Sequence, residues 1–271
     1  MTIGSKPVIV GIAAGSSDAG AAGEPTEKDA IGLFDAKAQT FLLKSSNTRG
    51  EADASVRFGP PGSVPAMGDF DGDGTDTLGV YSPARGEFSL KDTNAEGPAS
   101  IRFRFGGTRF EFVPLVGNWD GLGGDSVGLY SPEHGLFVLR NSNDSGLPDI
   151  RNPFGPKDAK PTLIPIAGNW SGGDSIDGIG LYNPMTGRFM LKDDPTTAGP
   201  ADFVFGFGAV GRGLIPIAGD WDGDDRDNVG LYDPTERTFF LRTTQSDGPA
   251  DRAFRFGPKG LTPVAGNFDG N

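Results

Sequence analysis

One acidic stretch recurs along the chain and constrains its fold more than any other feature. It reads VPAMGDFDGDGTDTLGVYSP at residues 64–83. Related copies occupy residues 113–132, 164–184 and 215–234, and a shorter copy, TPVAGNFDGN, occupies residues 262–271. Self-similarity at a period of about 50 residues is typical of solenoids, propellers and arrays. The fold therefore has to be interpreted one repeat at a time.

Each repeat is predicted to contain four short β-strands. The acidic stretch supplies two of them, one on each side of its loop. In the third, Phe and Leu stand two positions apart, as in Phe41 and Leu43, and this period-2 alternation indicates one buried face. The fourth ends in a Phe-Gly pair such as Phe58-Gly59. With 44 glycines and 22 prolines, the composition also fits short strands and frequent turns better than helices.

Five such units predict an all-β fold, a five-bladed β-propeller of four-stranded antiparallel blades. Residues 29–271 are assigned to the propeller, and residues 1–28 to an arm, a linker or an extra strand. The first strand of each unit ends in small residues such as Ala-Gly, so it is predicted to be innermost. The ring has to close in order to protect its edges. The C-terminal copy at 262–271 is the preferred closing strand because it keeps the motif, and residues 7–11 (PVIVG) are the alternative.

The loop between the first two strands carries alternating carboxylates. In the first full copy these are Asp69, Asp71 and Asp73, followed by Asp76. Carboxylates two apart in a tight, glycine-containing turn can point at one centre, which suits a hard, oxygen-preferring cation such as Ca²⁺. Without a cation they would repel one another, and their pKa values would rise. A second full set consists of Asp220, Asp222, Asp224 and Asp227.

The other loops are less acidic. Asn118, Asp120 and Asp125 form a third candidate ligand set, in which Leu122 replaces the third acid. The loop at 169–177 has one extra residue and fewer acids. An ordinary Asx turn, in which side chains bond the amides of their own loop, is the alternative interpretation for all of them. We expect Ca²⁺ in loops 69–76 and 220–227, and plain hairpin turns in loops 118–125 and 169–177.

The sequence at 68–74 (GDFDGDG), followed by LGVY at 78–81, resembles the calcium-loop repeats of integrin-α-type propellers, also called FG-GAP or VCBS-like repeats. The resemblance extends over nearly the whole chain from about Asp29. It implies a propeller with Ca²⁺ held in the hairpin loop between the first two strands of a blade. One position departs from the family pattern, because Thr77 stands where the last aspartate is usual and Asp76 comes one residue early.

Composition excludes several classes of partner and site. The formal net charge is −12, from 24 basic and 36 acidic residues, so nucleic acid is not an expected partner. The absence of cysteine excludes disulfides and thiolate metal sites. No apolar run approaches membrane-spanning length, so membrane insertion is not expected. The first residues, MTIGSKPVIVGIAAG, match a signal peptide poorly.

Aromatic residues also recur directly after the first loop position. They could be sugar-stacking platforms, as in propeller lectins, or they could pack between blades. Recurrence in every repeat favours packing, because every blade has to solve the same packing problem. These residues are Phe70, Trp119, Trp170, Trp221 and Phe268.

Catalysis has little support in the sequence. The single histidine, His134, lies in a predicted turn, and any Ser-His-Asp site would depend on it. A glycosidase with a carboxylate pair is the alternative function, since Glu87, Glu111 and Glu133 break the repeat pattern.

The expected function is that of a non-catalytic, calcium-binding module for ligand binding or adhesion. By resemblance, carbohydrate is the leading ligand class and a surface protein is the second. The resemblance also suggests an extracellular or cell-surface location, and the module is expected to be monomeric.

Overall fold

The computed structural model describes residues 28–159, 162–173 and 176–270. These residues form twenty β-strands. No helix in the described ranges has the length and apolar character needed to cross a membrane. The strands are β1 (Ala30–Asp35), β2 (Thr40–Leu43), β3 (Ala54–Arg57), β4 (Val64–Gly68), β5 (Thr77–Ser82), β6 (Glu87–Leu90), β7 (Ile101–Arg104), β8 (Val113–Gly117), β9 (Ser126–Ser131), β10 (Leu136–Leu139), β11 (Ile150–Pro153), β12 (Ile164–Gly168), β13 (Gly178–Asn183), β14 (Arg188–Lys192), β15 (Phe203–Gly206), β16 (Ile215–Gly219), β17 (Asn228–Asp233), β18 (Thr238–Leu241), β19 (Arg252–Arg255) and β20 (Thr262–Gly266).

The strands form five antiparallel sheets of four strands each. Blade I is β4–β7, blade II is β8–β11, blade III is β12–β15 and blade IV is β16–β19, each in sequence order from the axis outward. The fifth sheet, the closing blade, has the order β20-β1-β2-β3. The first strands contact one another around a ring, in the order β4, β8, β12, β16, β20 and back to β4. The predicted five-bladed β-propeller is therefore confirmed, with the first strand of each unit innermost.

The C-terminal strand closes the ring. β20 pairs antiparallel with β1, so that Gly32 lies opposite Val264 and Phe34 lies opposite Thr262. This pairing confirms the preferred closing strand. The alternative strand at residues 7–11, and nearly all of the proposed N-terminal arm at 1–28, lie outside the described residues.

Burial decreases from the axis to the rim. The innermost and second strands are buried along almost their whole length, on both faces. The third strand shows the predicted alternation, because Phe41 and Leu43 are buried while Leu42 between them is only partly buried. The outermost strand buries a single side chain, which in β3 is that of Val56. Each blade is thus fixed by its two inner strands and presents its outer strand to solvent.

The aromatic residues after the first loop position contribute to the core. Trp119, Trp170 and Trp221 are each 1% exposed, and Phe70 is buried as well. A ring that packs inside the protein cannot stack on a sugar, so these four side chains have the packing role that recurrence favours. Phe268 is only partly buried and packs against the same core.

Removal of β20 should open the propeller. A chain that lacks residues 262–271 leaves the buried strand β1 with an unpaired edge, so we expect a large loss of stability and a tendency to aggregate. Urea unfolding with circular dichroism detection measures this effect. Deletion of residues 1–23, which removes none of the described strands, is the control and should change the unfolding midpoint little. Equal losses in the two deletions would contradict closure by β20.

Candidate metal centre

The first aspartate of the loop in blade I organises that loop. The side chain of Asp69 is buried, and its Oδ1 accepts hydrogen bonds from the backbone N–H groups of Gly72 (2.7 Å) and Asp73 (3.0 Å). Its Oδ2 accepts a third bond, from Gly74 N–H at 2.9 Å. Gly72 and Gly74 have φ values of 77° and 88°, which a residue with a Cβ adopts only at a cost. The loop of blade I thus contains the Asx turn that the sequence analysis considered as an alternative to a metal site.

The same turn brings three carboxylates together. One oxygen each from Asp69, Asp71 and Asp73 lies within 4.8 Å of the other two. A carboxylate offers about two acceptor positions per oxygen, so Oδ2 of Asp69 keeps one free beside its single N–H donor. An oxygen-only set of this kind fits a hard divalent cation. The Asx turn and the metal site are therefore compatible uses of one loop.

Blade IV repeats this geometry. Asp220 accepts backbone hydrogen bonds from Gly223 (2.7 Å), Asp224 (3.1 Å) and Asp225 (3.0 Å), and oxygens of Asp220, Asp222 and Asp224 again lie within 4.8 Å of one another. In this loop Oδ1 of Asp222 is buried and has no hydrogen-bond partner. A buried polar atom without a partner is destabilising, and a bound cation would supply the missing interaction. The observation supports the fit of a cation to this triad.

The middle carboxylate of each triad has a raised pKa. For Asp71 the causes are burial and then the charges of Asp73 and Asp69. For Asp222 they are burial and then the charges of Asp224 and Asp220. A divalent cation among the three oxygens would offset this repulsion and favour the ionised forms. Both loops are therefore electrostatically suited to a cation.

The other loops that the structure describes do not bring three acids together. In blade II, Leu122 is 76% exposed where a third acid would stand, and Asp120 accepts a hydrogen bond from Leu122 N–H at 3.0 Å. In blade III, Asn169 caps its loop by accepting a bond from Gly172 N–H at 2.9 Å. Asn267 does the same with Gly270 N–H at 3.0 Å. In their described residues, these loops have the geometry of hairpin turns.

Asp76, Asp125 and Asp227 are absent from the converging groups, although sequence placed them in the ligand sets. Each of them instead contacts the preceding blade. The backbone N–H of Asp125 donates to Asp69 O at 2.6 Å, and Asp125 Oδ2 accepts from Asp69 N–H at 3.0 Å. We name this reciprocal pair of hydrogen bonds the blade clamp. It recurs between Asp76 and Asn267, Asp177 and Asn118, Asp227 and Asn169, and Asp29 and Asp220.

One signal in the sequence distinguishes the clamp from a metal ligand. The clamp aspartate is present in every repeat, including blade III, where Asp177 follows a loop whose described residues form no triad. A ligand is expected only where the other ligands occur, whereas a residue that joins blades is needed at every junction. Recurrence that is independent of the triads therefore indicates a structural role.

The clamp also explains the glycine that ends the innermost strand. A Cβ on Gly68 would lie 2.4 Å from Val116 Cγ1 and 2.8 Å from Asp125 Oδ2, both in the neighbouring blade. Only glycine leaves room for the incoming carboxylate. The small residues predicted at the axis thus accommodate the clamp as well as the crowding of the strands.

The clamp carboxylates are buried near one another. Burial raises the pKa of Asp76, Asp125 and Asp227 well above the usual range, and neighbouring carboxylates add to this effect. Burial also raises the pKa of Asp29, to about 7. Oδ1 of Asp76 and of Asp125 has no hydrogen-bond partner, so the clamp leaves one oxygen of each without a donor. Ionisation of the clamp carboxylates is therefore unfavourable in the folded state.

In comparisons with known proteins, no family model and no curated protein matches this chain.

The clamp predicts a stability that falls as pH rises. A carboxyl whose folded-state pKa exceeds its unfolded value stabilises the fold fully below the unfolded pKa, and this contribution disappears as pH rises through the folded pKa. With Asp29 at about 7, the free energy of unfolding should decrease between pH 5 and pH 8. Urea titrations at several pH values, with a chelator present throughout, measure the slope.

An Asp125→Asn variant keeps an acceptor for the Asp69 N–H but cannot ionise, so its slope should be smaller than that of the wild type. Each pKa unit removed corresponds to about 1.4 kcal/mol. Asp53→Asn is the control, because Asp53 is exposed and its pKa is lowered by the N–H of Ser45. Titration of Asp53 falls below this pH window. Equal slopes in the wild type and Asp125→Asn would contradict the assignment.

Proposed function

We propose that the protein is a non-catalytic, calcium-binding β-propeller that acts as a ligand-binding or adhesion module outside the cell. The observation that carries the structural role of calcium is the position of the two aspartate triads. They lie in blades I and IV, the two blades that flank the closing blade. The closing blade is the only described blade assembled from distant parts of the chain, and its two junctions depend on these loops.

The loop of blade I holds the end of β20. Asn267 Nδ2 donates to Gly74 O at 3.0 Å, and the blade clamp joins Asn267 to Asp76. Asn94, also in blade I, donates to the carbonyls of Asp76 (2.7 Å) and Phe268 (3.2 Å). A cation that orders residues 69–76 would thereby order the attachment of the C-terminal segment.

The loop of blade IV holds the segment that enters β1. The blade clamp joins Asp29 to Asp220, and Lys28 forms an ion pair with Asp225. Calcium in both loops would brace both junctions of the closing blade. A ligand that binds only the folded state stabilises it by RT ln(1 + [L]/Kd), so the stabilisation grows with the free Ca²⁺ concentration. An affinity typical of extracellular modules, roughly 10⁻⁴–10⁻³ M, fits this role.

Carbohydrate is the leading ligand class by the resemblance to calcium-loop propellers, and a surface protein is the second. A concave site of suitable size is available at the end of the axis opposite the metal loops. This cavity, of about 690 Å³, is lined by the first residues of four of the five inner strands, β4, β8, β12 and β16, and by Phe110. Ligand pockets are commonly of this size. We propose that the module recognises its ligand as a monomer, and that it neither binds nucleic acid nor inserts into a membrane.

Two features support a non-catalytic role. Glu111 lines the axial cavity, whereas Glu87 lines a separate cleft between blades, and Glu133 lines neither. His134 Nδ1 lies 2.9 Å from Ser131 Oγ, but Ser131 is buried in β9. A carboxylate pair across one pocket is the basis of the glycosidase alternative. The non-repeating glutamates line different sites, so the alternative lacks its central element.

Millimolar Ca²⁺ should raise the melting temperature relative to a chelator, with about two ions bound per chain. At a Ca²⁺ concentration ten times Kd, each site adds about 1.4 kcal/mol, and in a chain of this size each kcal/mol raises the melting temperature by roughly 2–4 °C. Asp71→Asn and Asp222→Asn should each remove one ion. Asp120→Asn, the same loop position in a blade without a triad, is the control. No bound metal and no shift would contradict a calcium role.

Glycan arrays should detect binding by the wild-type protein, while chromogenic glycosides and polysaccharides should show no turnover. Turnover that is lost on substitution of Glu87 or Glu111 by glutamine would overturn the non-catalytic proposal and favour the glycosidase.

A further inference from the structure

One cleft of about 350 Å³ lies between the closing blade and blade I. The closing blade contributes Gln39 and Arg57, and blade I contributes Arg85, Glu87, Ser89 and Arg102. We name it the arginine cleft. It differs from the axial cavity in position and chemistry, because it opens at a junction between blades and six of its ten lining residues are polar.

The cleft exists where blade I departs from the repeat. Ser89 lies opposite Val80 in β5, and the corresponding position on the third strand of every other blade carries a larger apolar residue. Those residues are Leu42, Val138, Met190 and Phe240. Val80 itself replaces a leucine that the other blades carry at Leu33, Leu129, Leu181 and Leu231. Two reductions in side-chain volume therefore open space at this junction.

The packing around Gly59 shows the same loss of volume. A Cβ on Gly59 would lie 3.0 Å from Val80, whereas the equivalent glycines would place theirs only 2.3 to 2.5 Å from a leucine of the next blade. The equivalent glycines are Gly106, Gly155, Gly208 and Gly257. The contact between blades is thus looser here than at the other four junctions. Gly59 forms part of the cleft wall.

The charge of the cleft is opposite to that of the whole chain. Three guanidinium groups face one carboxylate, in a protein with a net charge of −12. Arg85 approaches Glu87 at 3.9 Å. Among the described residues, neither Arg57 nor Arg102 forms a salt bridge. Guanidinium groups bind carboxylates and sulfates through paired hydrogen bonds, so two of the three are available to an anion.

The remaining polar groups define the ligand further. The amide of Gln39 and the hydroxyl of Ser89 can each donate and accept hydrogen bonds, which suits the hydroxyl groups of a sugar. A volume of about 350 Å³ is at the small end of ligand sites, which corresponds to a short saccharide rather than a large cofactor. We propose that the arginine cleft binds an acidic sugar unit, one that carries a carboxylate or a sulfate among its hydroxyls. The inference rests on the proposed ligand-binding function and narrows its ligand class.

The proposal predicts one site per chain. The substitutions that open the cleft occur in blade I, so the stoichiometry should be one, in contrast to the repeated binding expected of a propeller with a site in every blade. Calorimetric titration of the full chain with calcium present tests this. The probes are a uronic-acid trisaccharide, a sulfated trisaccharide and a neutral trisaccharide of the same backbone. Binding of at least one acidic probe, weakened by added salt, together with no binding of the neutral probe, supports the proposal.

Two variants locate the site. Ser89→Leu restores the residue that Leu42 provides in the closing blade, so it should fill the cleft without loss of stability and abolish binding. Arg102→Gln removes one guanidinium and should weaken binding at least about tenfold. Arg104→Gln is the matched control, because Arg104 lies in the same strand, is exposed and lies outside the cleft lining. It should leave the affinity unchanged.

The outcomes separate the cleft from the wider function. Binding of neutral and acidic probes alike, or binding that Ser89→Leu leaves intact, would overturn the cleft assignment while the ligand-binding function stands. If the chain recognises other glycans on an array but neither acidic probe binds, the cleft assignment would also be overturned while the ligand-binding function stands. Loss of the wider function would instead appear as the absence of all glycan and protein binding, independently of these variants.

Discussion

The propeller depends on the blade clamp, the pair of hydrogen bonds that a buried aspartate makes with the first loop residue of the preceding blade. In the described residues the named strands pair only within their own blade, and two isolated β-bridges, Gly50–Phe256 and Phe207–Gly248, join neighbouring blades. Without the clamp, the loops at this end of the axis would leave buried N–H and carbonyl groups without partners. Each such group would cost about 1–3 kcal/mol. The clamp pairs one N–H and one carbonyl in the preceding loop, as Asp125 does with Asp69.

The clamp has an electrostatic cost that the fold tolerates. Carboxylates buried close to one another resist ionisation, and their pKa values are therefore raised. The same feature connects the ring to the metal loops, because the residue that Asp125 clamps is Asp69, the first member of a triad. Asp29 clamps Asp220 in the same way. The loop that gathers the carboxylates is therefore held in place by the next blade, and a cation there would act on a junction as well as on a hairpin.

Departures from the repeat mark the positions where individual blades differ in role. The triads are complete in the two blades beside the closing blade, where the chain ends of the propeller are attached. The arginine cleft lies at one of these junctions and results from smaller side chains at Val80 and Ser89. In a symmetric ring the common residues maintain the fold. The exceptions are therefore the first positions to consider for binding.

The repeat sequence determined the number of blades, the four strands in each and the alternation of buried residues. These features follow from local periodicity, and short-range patterns are readable without knowledge of distant contacts. The loops 69–76 and 220–227 were identified correctly as the ones with converging acids, because carboxylates two apart in one turn are close in space whatever the rest of the fold does. Closure by residues 262–266 was also predictable, since that segment keeps the motif.

Tertiary structure decided the role of the remaining aspartates. Asp76 follows Asp73 by three positions and reads as a fourth ligand, yet its carboxylate bonds to Asn267, which lies 191 residues away. Ser89 and Arg57 likewise belong to different blades, and sequence offers no sign that they line one cleft. The physical reason is the closure of the ring. A repeat specifies its own sheet through neighbouring residues, whereas the contacts between blades join residues whose proximity arises only when the ring is complete.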